Sequence, residues 1–251
     1  MKKSKFQKLF SYIGAVNSSA KIAKGEKINL DTYCIYLAPY KLSGFNVCAK
    51  ATAGCIDGCL NESGQAIMTY SHIMNSRIAK TKAFYSDRPA FINQVFNEIS
   101  RAYKRALDNG RKFCVRLNGT SDLSPELFKI DGKNLLELFP QVDFYDYTKI
   151  SNRFRLVEKF KNYFLTFSYS GENWTECETI LNQGGNVSVV FNVKRGKELP
   201  TTYKGFPVID GDVNDYRPAD PAGCIVGLRF KRIKDSAKAA RALESGFVVS
   251  L

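Results

Sequence analysis

Short apolar runs rich in β-branched and aromatic residues recur along the chain and predict strands. They occupy residues 33–37, 113–117, 142–147, 163–169, 187–191, 207–210, 224–230 and 247–249. Between most of these runs, apolar residues recur every three or four positions, which predicts helices. The helical stretches cover residues 66–84, 87–110, 135–139, 153–160, 174–181 and 237–243.

The best-defined of these helices is predicted between Asp87 and Gly110. Asp87 suits the N-cap position and Pro89 falls in the first turn, while Asn109 and Gly110 are typical of a helix C-terminus. Its apolar stripe consists of Phe91, Val95, Phe96, Ile99, Tyr103 and Leu107. This periodicity predicts that the helix packs one face against the core.

Alternation of strands and helices predicts an α/β fold, with a mostly parallel sheet and helical crossovers. A partial or full (β/α) barrel and an open doubly wound sheet both fit this pattern. We divide the chain into a basic N-terminal extension, residues 1–30, and a single α/β domain, residues 31–251. In either architecture, ligands bind beyond the carboxyl ends of the strands.

Polar side chains are dense where the predicted strands end. Ordinary turn and capping chemistry explains such residues individually, but their recurrence at successive strand ends favours a ligand site. Arg116 and Lys149 are suited to bind carboxylate or phosphate groups. The residues that we expect to line this site are Arg116, Asn118, Ser121, Asp122, Asp146 and Lys149. The acidic residues Asp210, Asp212 and Asp215 fit either a hard cation such as Mg²⁺ or a turn around Gly211.

A glycine-rich loop, residues 44–63, contains Cys48, Cys55 and Cys59. Clustered cysteines outside a disulfide scaffold indicate metal binding or thiol chemistry, and glycines let the backbone wrap a metal centre. Three interpretations remain open: a [4Fe–4S] cluster, a zinc site completed by His72, and a group of redox thiols. The four remaining cysteines are scattered among apolar residues and are expected to be buried.

The net charge of +13 favours polyanionic partners, nucleic acid among them. Basic residues concentrate near residues 2–8 and 229–234. Residues 9–16 faintly resemble a signal peptide, but Lys8 and Ser11 interrupt the apolar stretch. No apolar run approaches the ~20 residues that a membrane-spanning helix needs. We therefore expect a cytoplasmic protein without a membrane partner.

A three-cysteine loop directly after the first strand of an α/β chain resembles the radical SAM superfamily. The stretches 46–63, 118–122, 144–149 and 208–212 also resemble a set of uncharacterised bacteriophage proteins, a likeness that extends over about residues 33–251. A phage origin would place the chain in the host cytoplasm.

The resemblance to radical SAM enzymes implies a full or partial barrel with a [4Fe–4S] cluster on Cys48, Cys55 and Cys59. The open iron binds S-adenosylmethionine, which the reduced cluster cleaves to a 5′-deoxyadenosyl radical. Residues 118–120 take the place of the motif that binds the amino group of that cofactor. Asn118, Ser121 and Asp122 are then expected to bind the cofactor, and Arg116, Asp146 and Lys149 the substrate.

The sequence therefore predicts an iron–sulfur protein with a small-molecule ligand at an open iron, and a radical SAM-type enzyme of phage origin fits it best. A non-catalytic protein that binds nucleic acid or another partner, with a structural iron–sulfur or zinc site, is the alternative. His72 is the only histidine, which makes a histidine-dependent hydrolase difficult to build.

Overall fold

A computed structural model describes residues 11–14, 22–59, 70–231 and 233–251 of the chain. Residues 2–8 of the predicted basic extension and the start of the predicted helix at residue 66 lie outside this part. The strands are β1 (Ile13–Gly14), β2 (Leu30–Ile35), β3 (Lys112–Arg116), β4 (Lys129–Ile130), β5 (Lys133–Asn134), β6 (Asp143–Thr148), β7 (Tyr163–Ser168), β8 (Asn186–Phe191), β9 (Thr202–Tyr203), β10 (Phe206–Asp210), β11 (Ile225–Arg229) and β12 (Val248–Val249).

The helices alternate with these strands, as the apolar periodicity predicts. They are α1 (Ala53–Asp57), α2 (Tyr70–Ser86), α3 (Arg88–Asp108), α4 (Leu135–Leu138), α5 (Arg153–Val157), α6 (Trp174–Asn182) and α7 (Ser236–Glu244). Short 3-10 segments occupy Ile22–Ile28, Pro125–Leu127 and Arg217–Ala219. The Asp87 side chain caps α3 by accepting a hydrogen bond from the Ala90 amide at 3.0 Å.

One sheet contains all the strands except the small β4–β5 hairpin. Its order is β1-β2-β3-β6-β7-β8-β11-β10-β9, and β12 pairs with β8 beside this path. The pairs from β2 through β10 are parallel, whereas the short outer strands β1 and β9 are antiparallel to their neighbours. The predicted α/β class with a mostly parallel sheet is confirmed. No barrel is closed among the described strands, so the predicted full barrel is not seen.

Helices cover one face of the sheet and form two apolar cores. Around β2, β3 and β6, the first core includes Phe91, Val95 and Ile99 of α3. The second surrounds β7 and β8 and includes Ile180 of α6. Every second residue of a strand faces the helices, so strand and helix side chains pack together in both cores.

The opposite face of the sheet is more polar and is overlaid by the chain between β10 and β11. Tyr145 donates a hydrogen bond to Asp215 at 2.8 Å, and the Tyr216 hydroxyl bonds Asp143 at the start of β6. A small apolar group of Leu30, Cys114 and Tyr145 lies beneath this segment. The segment between β10 and β11 therefore bonds to β6 on this face of the sheet.

Part of the stretch assigned by sequence to an N-terminal extension belongs to the sheet. Ile13 of β1 lies opposite Ile35 of β2, and the Ile13 amide donates to the Glu98 carboxylate at 2.9 Å. The 3-10 segment Ile22–Ile28 contacts β2 directly. The pairing of β1 with β2 and its bond to Glu98 join residues distant in sequence, which is why local sequence patterns did not indicate them. No helix in the described part of the chain is both long and apolar enough to cross a bilayer.

Candidate functional site

A cavity of about 220 Å³ opens at the carboxyl ends of β3, β6, β7, β8 and β11. The cysteine loop that follows β2 covers one side of it. Eight of the residues selected from the sequence line its wall: Cys48, Cys55, Cys59, Arg116, Asn118, Ser121, Asp122 and Lys149. Parallel strands bring these distant segments together because all their carboxyl ends meet at one edge of the sheet.

Cys48 is held by main-chain bonds between its loop and two neighbouring segments. The preceding residue, Val47, is buried; its amide donates to the Tyr40 carbonyl at 3.2 Å, and its carbonyl accepts from the Asp122 amide at 2.8 Å. The Cys48 sulfur accepts a hydrogen bond from the Tyr40 amide at 3.4 Å. Cys48 is thus fixed against the turn that follows β3.

Cys55 lies within α1, and Cys59 follows the Gly58 C-cap of that helix. The Thr52 hydroxyl caps the helix by accepting from the Cys55 amide at 3.3 Å. The sequence predicted an irregular loop here, because α1 is too short to show a helical period. A single turn of helix places both cysteines on the cavity wall.

The C-terminal segment holds α1 in place through close packing. A Cβ atom at Gly54 would lie 2.0 Å from the Ser245 hydroxyl oxygen, and one at Gly58 would lie 2.6 Å from the Phe247 ring. Arg241 of α7 also forms two hydrogen bonds with the Asp57 carboxylate, at 2.8 and 3.0 Å. Glycine is required at both positions because α1 approaches this segment without room for side chains.

Cationic side chains accompany the cysteines. Lys149 is half-buried on the cavity wall, close to Cys55, Asp122 and Cys48. Burial lowers the pKa of Lys149, but Cys55, Asp122 and Cys48 outweigh that effect and raise it. Burial raises the pKa of the Cys48 thiol, and the neighbouring Cys55 raises it further. Lys149 therefore supplies positive charge where thiolates would carry negative charge.

The predicted zinc site with three cysteines and a histidine is not assembled. Within the described residues, no group of three or more histidine, cysteine or acidic side chains could hold a metal ion. His72 is exposed on α2 and does not line the cavity. The three thiols line the same cavity.

The turn after β3 is stabilised from within by the side chain of Asn118. Its carbonyl oxygen accepts from the Ser121 hydroxyl at 2.8 Å and from the Leu123 amide at 2.9 Å. Asp122 links this turn to the end of β6, because it accepts from the Thr148 hydroxyl at 2.7 Å and the Lys149 amide at 2.8 Å. These residues line the cavity and at the same time fix its shape.

Asp146 lies outside the cavity lining, fully enclosed beside the turn. Its carboxylate accepts from the Asn118 amide at 2.6 Å, the Asn118 side chain at 3.0 Å and the Tyr163 hydroxyl at 2.7 Å. The sequence predicted Asp146 as a direct contact for substrate. In the structure Asp146 bonds the turn from the helical side of the sheet, because residues of β6 alternate between the two faces.

A buried ion-pair network extends from Asp146. Arg153, which is completely enclosed, forms two bonds of 3.0 Å to the Glu126 carboxylate and one of 3.2 Å to Asp122. It also donates to the Tyr163 hydroxyl at 2.6 Å. The network satisfies the charge that Arg153 brings into the core, and it joins the segment after β3 to β6, α5 and β7.

Arg116, at the end of β3, pairs with Asp215 at 3.2 Å and lies over the Tyr147 ring at 4.7 Å. Asp210 and Asp212 pair with Arg229 at 2.8 and 3.4 Å. The Asp212 amide donates to the Asp210 carboxylate at 2.9 Å, as in a turn. The acidic group near Gly211 thus neutralises arginines, and it forms no group able to hold a metal ion among the described residues.

A comparison of the sequence with protein families covers all the residues of the cavity. A family model described as Gene product 88 matches residues 11–249. The chain belongs to the Gene product 88 family. No curated protein and no solved structure matches it. All cavity residues of this family member fall within the matched range.

The sequence did not single out several residues that complete the cavity in this Gene product 88 chain. They are Tyr169, Ser188, Val190, Phe230 and Phe247. Tyr169 and Phe230 end predicted strands, so the strand-end rule contained the signal for these two residues. Phe247 gave no local signal, because its place at the cavity depends on contact with α1.

Proposed function

We propose that this chain is an iron–sulfur protein that holds a [4Fe–4S] cluster on Cys48, Cys55 and Cys59. One iron would remain open to a small-molecule ligand. A single observation carries the proposal: three thiols from one loop line the same cavity at the carboxyl ends of parallel strands. Ligand sites of α/β proteins lie at this end of the sheet.

The ligand types available at the cavity favour a cluster over a mononuclear zinc ion. All three cysteines line the cavity, and thiolates are the ligands that iron–sulfur clusters use. A structural zinc site needs a fourth ligand, and His72 is exposed on α2 and does not line the cavity.

The radical SAM resemblance extends this proposal to a partial barrel and to S-adenosylmethionine as the ligand. In support, the cysteine loop follows β2, and the turn after β3 lies directly against it. The Asp122 amide bonds the Val47 carbonyl at 2.8 Å, next to Cys48. When bound, a cluster with an open iron supplies a coordination position and a source of single electrons.

The chain's own residues would orient such a ligand. Lys149 places positive charge on the cavity wall, where a ligand carboxylate would be stabilised, and Arg116, which pairs with Asp215, lines the wall at the end of the neighbouring strand. The Asn118–Asp146 bonds hold the intervening turn rigid. Tyr147 and Tyr169 offer aromatic surface to the apolar part of the ligand.

The first test is the metal content of protein purified without oxygen. We expect iron and sulfide in equal amounts, with broad absorbance near ~400 nm. Substituting Cys48→Ser, Cys55→Ser and Cys59→Ser together should abolish both. The control is Cys177→Ala, which removes a buried thiol outside the cavity. Iron-free wild-type protein, or equal loss of iron in the control, would refute the cluster.

The second test concerns the ligand. Dithionite and S-adenosylmethionine are added to protein with a full complement of iron and sulfide, and 5′-deoxyadenosine is measured by chromatography. Its formation, dependent on Cys48, Cys55 and Cys59, is the expected result. Absence of cleavage by loaded protein would leave the cluster in place and eliminate the radical SAM-type reaction.

A further inference from the structure

Cationic residues extend from the cavity mouth onto the surface. We call Lys194, Arg195, Lys197, Arg229 and Lys231 the basic rim. Arg229 and Lys231 line the cavity, and the Arg229 guanidinium donates twice to the Lys197 carbonyl, both times at 2.9 Å. The Lys197 amide bonds the Lys194 carbonyl at 3.0 Å, which closes the loop into a turn. The loop after β8 is thus joined to the wall of the cavity.

The distribution of charge along the rim is uneven. Arg229 is compensated by Asp210 and Asp212. The side chains of Lys194, Arg195, Lys197 and Lys231 are exposed. A rim of this kind attracts anions, and the net charge of +13 strengthens that attraction at long range.

The cavity behind the rim combines positive charge with aromatic rings. Arg116 and Lys149 contribute cations to its wall. The rings that line it belong to Tyr147, Tyr169, Phe230 and Phe247. Proteins that bind single-stranded nucleic acid use this combination, because cations attract the phosphates and aromatic rings stack on the bases.

We infer that the cavity accepts a nucleotide, either free or as one unit of a single strand. The basic rim receives phosphate, and the base enters among the aromatic residues. A cavity of about 220 Å³ is too small for a double helix, so the nucleotide must be unpaired. The nucleotide would be the substrate of the site described under the proposed function. Its binding does not depend on the iron–sulfur cluster; only the reaction that would follow binding rests on that proposed function.

The rim is tested by the salt dependence of binding. A fluorescein-labelled single-stranded oligonucleotide is titrated with wild-type protein at several salt concentrations, and fluorescence anisotropy gives the affinity. Log affinity falls as log salt rises, and each lost phosphate contact makes this slope less steep by about 0.7. The slope measured for the variant with Lys194→Gln, Lys197→Gln and Lys231→Gln should therefore be less steep than that of wild type by about 2.

A matched control removes the same charge from the amino-terminal end of the sheet. Lys104, Lys112 and Lys161 are exposed near the end of α3 and the starts of β3 and β7. Replacing these three lysines with glutamine should leave the slope unchanged. Equal losses in both variants would show that binding follows net charge alone and would overturn the inference.

The contribution of the base is tested separately. Phe230→Ala should weaken binding of the oligonucleotide about tenfold, because stacking on one aromatic ring is lost. An oligonucleotide of the same length without bases should show no difference between this variant and wild type. If the strand without bases binds wild-type protein as tightly as the ordinary strand, no base occupies the cavity.

Competition identifies the source of the nucleotide. Displacement of the labelled strand by a nucleoside monophosphate supports a free nucleotide, whereas displacement only by unlabelled strand supports a unit within a chain. Failure of the labelled strand and of the monophosphate to bind would refute the inference. Iron and sulfide are measured in the same samples, so that binding without iron refutes only the cluster, and iron without binding refutes only the nucleotide.

Discussion

Asp146 is completely enclosed, and yet its carboxylate accepts hydrogen bonds from Asn118 and Tyr163. Its neighbours along β6 divide between the two faces of the sheet. A polar residue at a strand end can therefore support a site from behind without touching the ligand. The same holds in part for Asn118, whose side chain stabilises its own turn.

We predict that Asp146→Asn lowers the free energy of unfolding by about 1–3 kcal/mol. An amide presents one oxygen and one donor nitrogen to groups that all donate, so at least one buried partner is left unsatisfied. Urea unfolding followed by circular dichroism measures the effect. Asp131→Asn, in the exposed turn between β4 and β5, is the control and should change stability by less than about 0.5 kcal/mol.

The pH dependence of this stability difference follows from the direction of one pKa. Burial raises the pKa of Asp146 above its usual value, and Arg153 and Tyr163 offset only part of that rise. The folded protein then holds this proton more tightly than the unfolded chain, so stability from this group falls as pH increases above about 4. Asparagine lacks this dependence.

We therefore expect the stability deficit of Asp146→Asn to be largest at acidic pH and to shrink as pH rises. Urea unfolding at a series of pH values gives the difference between wild type and variant. A deficit that grows with pH would mean that the folded protein favours the charged carboxylate, and would contradict the raised pKa of Asp146.

At the scale of elements, α1 depends on a neighbour from the other end of the chain. Gly58→Ala would place a methyl group 2.6 Å from the Phe247 ring, and we expect it to cost about 1–3 kcal/mol of stability. Displacement of α1 should also reduce the iron content of anaerobically purified protein. Urea unfolding and iron analysis measure both effects.

A double-mutant cycle checks the cause of that loss. If the clash with Phe247 is responsible, Gly58→Ala should cost much less in a Phe247→Ala background. Equal costs in the two backgrounds would assign the effect to the helix itself. Because Gly58 has an ordinary φ of −84°, backbone strain does not complicate the comparison.

Elements with long local patterns could be predicted from the sequence, and elements defined by distant contacts could not. Helix α3 has both an apolar stripe and a capping aspartate, so its limits Arg88–Asp108 agree closely with the predicted 87–110. Helix α1 has five residues and its position depends on Ser245 and Phe247. The eight cavity residues that the sequence predicted lie together because they lie at or after the carboxyl ends of parallel strands, which meet at one edge of the sheet.

At the scale of the molecule, one sheet passes beneath both apolar cores. Strand β6 contributes Phe144 to the first core, and β7 contributes Phe167 to the second. The two strands pair without interruption from Phe144 to Thr148 of β6. We predict a single cooperative unfolding transition. Fluorescence of Trp174, in the second core, and far-ultraviolet circular dichroism should give coincident urea curves. Separate midpoints would indicate two independently folding units.

The ion pair between Asp57 and Arg241 spans 184 residues of sequence. A ribosome adding about 5–20 residues per second needs roughly 10–40 s to synthesise that interval. During this time the thiols of the nascent chain lack the scaffold that arranges them. Under the proposed function, metal insertion would therefore follow translation, and the emerging cysteines would be open to oxidation before it.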